Sequence, residues 1–143
     1  MKMAFDLLMN WDLFENRKLI LLRQTLAAVL TGVGGTLLVT LFLTTFLPIL
    51  KVVHFIPWLI GFNSAMTGYC LVDKTRDALG HRQLMAAAAG LANALITAAA
   101  FISLSIYSLD TNLFGPREVI IFAAIGTACS AAGAWLAARY FKL

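Results

Sequence analysis

Four stretches of this chain, residues 24–50, 55–72, 83–109 and 119–138, contain no Asp, Glu, Lys or Arg at all, and every charge stands outside them. A helix rises 1.5 Å per residue, so an apolar run of roughly 20 residues crosses a hydrocarbon core ~30 Å thick. In a chain of 143 residues these four runs leave too little for a soluble domain of any size. The composition agrees, with 61% hydrophobic and only 13% charged residues, far to the apolar side of soluble proteins. The expected fold class is an all-α membrane protein with four transmembrane helices.

The first eighteen residues, MKMAFDLLMNWDLFENRK, form a separate segment ahead of a transmembrane domain over 19–143. Leu7, Trp11 and Phe14 recur at helical spacing with Lys18 beyond them, a pattern for a short helix lying in the membrane interface, Trp at headgroup depth. Asp6, Asp12 and Glu15 interrupt the apolar residues, so a cleavable secretion signal is not expected.

Orientation follows from the basic residues, because Lys and Arg flanks stay on the cytoplasmic side. Lys2, Arg17, Lys18, Arg23, Lys74, Arg76, Arg82, Arg139 and Lys142 fall on one side of a four-pass chain, and only Lys51 and Arg117 on the other. Both termini are therefore expected in the cytoplasm, with a bacterial-type inner membrane as the location. The net charge of +4 is then a topology signal and not a nucleic-acid footprint.

An offset of 59 positions, without a gap, brings Arg23, Gln24, Ala27 and Ala28 onto Arg82, Gln83, Ala86 and Ala87. It also pairs Phe42 with Phe101, Leu50 with Leu109, Phe55 and Pro57 with Phe114 and Pro116, Ala65 with Ala124, and Cys70 with Cys129. Two copies of a two-helix hairpin, 23–72 and 82–131, would form a parallel repeat about an axis along the membrane normal. Any two hairpins sharing a basic entry and a proline near the outer turn would resemble each other in the same way. Pro57 and Pro116 are expected to start helices two and four, and Glu118 to lie in a first turn, where the helix dipole favours a carboxylate.

Small residues supply the packing surfaces. Gly32, within TGVGGT, and Gly126, Ser130 and Gly133, within IGTACSAAGAW, allow helix backbones to approach closely, either inside one bundle or between subunits. Asn63 and Asn93 are the polar groups within the spans most in need of partners; interhelical hydrogen bonds or contact with a lipid-borne ligand both satisfy that need. Arg76 and Arg82, in the basic loop VDKTRDALGHRQ, suit anionic headgroups or a phosphorylated lipid, as well as a plain solvated loop.

The chemistry-bearing signals point away from catalysis. No charge lies inside a span, Cys70 and Cys129 lack any paired spacing, and His54 and His81 are expected on opposite faces. With no nucleophile beside a base, no metal cluster and no phosphate loop, the expectation is a protein that is not an enzyme and has no cofactor.

The four spans, short outer turns, inward termini and a last helix ending in WLAARYFKL, with Arg139, Tyr140 and Phe141, resemble the GtrA-like proteins. That resemblance implies a role in moving polyprenyl-phosphate-linked sugars across the inner membrane, and it assigns no site residue. The residues themselves favour an oligomeric or accessory subunit of a membrane complex, with membrane lipids and other subunits as partners and no nucleic acid. An immunity protein against a pore-forming toxin is the third reading.

Overall fold

The computed structural model describes residues 2–75 and 81–141, with side chains from Leu19 onward except at residue 82. Four helices make up the fold: α1 (Lys2–Phe46), α2 (Ile49–Lys74), α3 (Arg82–Leu109) and α4 (Pro116–Tyr140). Each holds a stretch long and apolar enough to cross a membrane: Leu19–Phe46, Ile49–Lys74, Gln83–Leu109 and Pro116–Tyr140. Around the bundle the order is α1, α2, α4, α3. α2 and α3 also meet across the middle, whereas α1 and α4 make no contact among the described residues.

The segment 1–18 is helical from Lys2, as the opening part of α1. One sequence expectation shifts. The turn between α1 and α2 lies at Leu47 and Pro48, several residues earlier than the 51–54 expected. Pro48 is the extended residue before α2, with φ −61° and ψ 142°, and its carbonyl accepts the first bond of the helix from Lys51 N–H at 2.9 Å. Pro57 is therefore inside α2, not at its start. Lys51 and His54 accordingly occupy the opening turns of α2.

The other proline stands where expected. Pro116 opens α4 after Gly115, and the Glu118 carboxylate accepts the Gly115 N–H at 2.9 Å, closing a donor that the helix leaves unpaired. α3 ends on Asp110, which takes the left-handed conformation at φ 55° that terminates helices, Asp tolerating it better than most side chains.

The interior has three levels. Near the end holding the termini, Ala28, Val29, Leu71, Val72, Ala86 and Ala134 are among an apolar cluster. At the other end Ile56, Ile60, Ala98, Phe101, Phe114 and Phe122 form a second. Phe114, from the loop before α4, sits between Phe101 and Phe122 with ring centroids 6.0 and 5.8 Å away and plugs that end. Between the clusters lies a polar layer of buried hydroxyls and the buried amide of Asn93, with Asn63 at its edge. Large apolar side chains such as Leu26, Leu38, Phe62 and Ile120 face outward, the arrangement expected where lipid is the solvent.

Candidate functional site

Lipid offers helices no hydrophobic reason to associate, so the bundle is held by close backbone approach and by hydrogen bonds between helices. α4 supplies most of the close approach. A Cβ added at Gly68 of α2 would meet the Ser130 carbonyl oxygen, one at Gly133 would meet the Ala65 carbonyl, and one at Gly90 of α3 would meet Ser130 and the Gly126 carbonyl. Ser130 also donates its hydroxyl to the Ala86 carbonyl at 2.6 Å. Gly126, Ser130 and Gly133 are thus all used within the bundle, against α2 and α3. Gly32 is used likewise: a Cβ added there would meet the Thr67 hydroxyl and the Asn93 amide.

The middle layer joins three helices through polar side chains. Asn63 Nδ2 donates to Thr36 Oγ1 at 3.0 Å, linking α2 to α1. Asn93 Nδ2 donates to Ser64 Oγ at 3.0 Å, linking α3 to α2. Thr67 Oγ1 donates to the Asn63 carbonyl at 2.8 Å, and Thr36 and Thr40 return their hydroxyls to carbonyls one turn back, at 2.9 and 2.7 Å. Such back-bonding satisfies a hydroxyl without help from outside its helix. Asn93 Oδ1 and Thr97 Oγ1 are buried without a partner. No charged side chain is buried among the described residues.

Among the described residues, grooves flank α1 toward both ends of the bundle. One, of about 250 Å³, lies between α1 and α2 and is walled by Thr31, Gly32, Gly35, Asn63, Met66, Thr67 and Lys74 among others. The second, also about 250 Å³, lies at the opposite end between α1, α2 and α3, with Thr40, Thr44, Ser105 and Ser108 among apolar walls. Asn63 thus lines a groove while Asn93 is sealed inside, only 1% exposed. Arg76 lies outside the described residues. Arg82 opens α3, which puts its backbone at the end of the bundle that also holds Lys74. Cys70 and Cys129 are half-buried free thiols.

Sequence reasoning did not single out Gly68, which had a visible sign, a small residue four positions earlier in Ser64. Gly90 and Gly34 lie in the small-residue runs AAAAGLANA and TGVGGT, which mark helix packing without telling one member from the next. Gly34 is the informative exception: a Cβ added there meets nothing within 4 Å, on a face of α1 where Leu30 and Leu38 are exposed.

Four apolar helices sealed by small residues and neutral hydrogen bonds define an all-α, multi-pass membrane protein. No protein-family model matches the chain, and no curated protein and no solved structure matches it.

Proposed function

We propose that this chain is a non-enzymatic membrane subunit that works by docking other helices, as a homo-oligomer or as an accessory component of a larger complex. Gly34 carries the reading. Glycine in a helix interior costs roughly 1 kcal/mol against alanine, and Gly32 and Gly35 offset that cost by admitting Thr67, Asn93 and Asn63 side chains. Gly34 admits nothing within the bundle. Flanked by exposed Leu30 and Leu38 one turn to either side, it forms a notch into which a partner helix packs. α1 has room for that partner, since among the described residues it contacts α2 and α3 and not α4.

The subunit resides in a bacterial-type inner membrane with both termini in the cytoplasm, a placement supported by the nine-to-two division of its Lys and Arg. Native mass spectrometry from a mild detergent tests the docking. The wild-type chain is expected at a mass above its own 15.5 kDa, and Gly34→Leu as a folded monomer. A wild-type monomer with no bound protein overturns the reading.

One observation favours a second reading, transport of polyprenyl-phosphate-linked sugars in the manner of GtrA-like proteins. Asn63 and Lys74 share the α1–α2 groove, which brings an amide and a cation to one lipid-accessible surface. Uptake of such a lipid into vesicles holding the purified protein tests it.

A further inference from the structure

We infer that the groove between α1 and α2 is a binding site for one anionic glycerophospholipid, drawn from the leaflet on the side of the termini. The inference rests on the membrane location alone and stands whether or not the protein is a subunit.

The groove exists because α1 presents small residues to it. Ala28, Thr31, Gly32 and Gly35 form its α1 wall, and Phe62, Met66 and Cys70 rise on the α2 side. Phe62 and Met66 are exposed, so the groove opens sideways into the hydrocarbon. Its walls are mostly apolar. Most polar groups along it are already committed: Thr31 Oγ1 donates to the Ala27 carbonyl at 2.8 Å, Thr67 Oγ1 to the Asn63 carbonyl at 2.8 Å, and one N–H of Asn63 Nδ2 to Thr36 at 3.0 Å. An alkyl chain lying along the groove therefore passes a single uncommitted donor, the second N–H of Asn63 at the groove's inner end.

Length and charge select the occupant. From Lys74 to Asn63 is eleven residues of α2, or ~16 Å at the helical rise, close to the ~15 Å depth of one leaflet of the hydrocarbon core. The groove thus runs from the interface to the bilayer midplane, the course of one acyl chain. At its interfacial end stands the exposed ammonium of Lys74, within reach of a lipid phosphate. A net anionic headgroup is preferred there over a zwitterionic one, whose own cation opposes Lys74.

The full chain, reconstituted in bilayers of equal phosphatidylglycerol and phosphatidylcholine and released into native mass spectrometry, tests the assignment. The wild type is expected to retain one phosphatidylglycerol per chain. Lys74→Gln lowers the preference for phosphatidylglycerol about fivefold, the loss expected of one basic side chain at the surface. Thr31→Phe, at an exposed groove position that no core residue depends on, removes the retained lipid while leaving the thermal midpoint unchanged. Equal retention of both lipids, or retention untouched by both substitutions, overturns the site. So does displacement of phosphatidylglycerol by a polyprenyl phosphate added at equal concentration, which supports the transport reading instead. Loss of oligomer in Gly34→Leu with the lipid still bound would separate this inference from the docking proposal.

Discussion

Gly68 of α2 and Ser130 of α4 approach so closely that a single methyl group on residue 68 would strike the Ser130 carbonyl oxygen. Backbone on backbone, this crossing leaves no flexible side chain to move aside. Gly68→Ala is therefore expected to lower stability by about 1–3 kcal/mol, the usual cost of overpacking, read as a fall in the thermal midpoint in detergent. An unchanged midpoint would mean that α2 and α4 do not cross here.

Gly34→Ala is the opposite case. The added methyl meets open space, and alanine is the better helix former by roughly 1 kcal/mol. Under conditions that keep the chain monomeric, the variant is expected to unfold at a higher temperature than wild type. In membranes it is expected to associate less well, so stability and assembly move in opposite directions.

Asn93 and Ser64 make the hydrogen bond that ties α3 to α2. Ser64→Ala leaves the Asn93 amide nitrogen buried without an acceptor and is expected to cost ~1 kcal/mol. Asn93→Leu costs less, because it also removes Oδ1, which already lacks a partner, and because the freed Ser64 hydroxyl has its own helix's carbonyls to turn to. Thermal unfolding of both variants orders the two costs, and the reverse order contradicts this hydrogen-bond assignment.

Glu118→Ala strips the cap from the Gly115 N–H. Its expected cost is about 1 kcal/mol, confined to the start of α4. Faster amide exchange over the first turn of α4, with the α2–α4 crossing unchanged, is the expected signature.

Topology has a direct readout. In a background with Cys70 and Cys129 replaced by alanine, Asn112→Cys is expected to react with an impermeant thiol reagent added outside intact cells. His81→Cys is expected to stay protected until the membrane is opened. The reverse pattern would invert the orientation.

Much of this architecture was legible in the sequence, and the reasons are specific. Span existence and number follow from charge-free length, which the bilayer thickness reads directly. The α1–α2 turn was harder, because FLPILKVVHFIPW holds two prolines and two ionisable residues, and hydropathy does not say which proline stops a helix. Lys51 and His54 resemble turn residues, yet His54 Nδ1 lies 3.0 Å from the Leu50 carbonyl within the helix. Asn63 and Asn93 stood out as polar, but helix rotation, invisible in a sequence without an alignment, sends one to a groove and buries the other. The same rotation separates Gly34 from Gly32 and Gly35, which face side chains of α2 and α3 while Gly34 faces none.

The central claim is that α1 docks a partner at Gly34. Its most direct test is a photoactivatable diazirine amino acid at Leu38, irradiated in native membranes, with the same group at Trp58 of α2 as a control. The account predicts one discrete adduct from position 38 that disappears on adding Gly34→Leu, and none of comparable yield from position 58. Lipid adducts alone from both positions would contradict it.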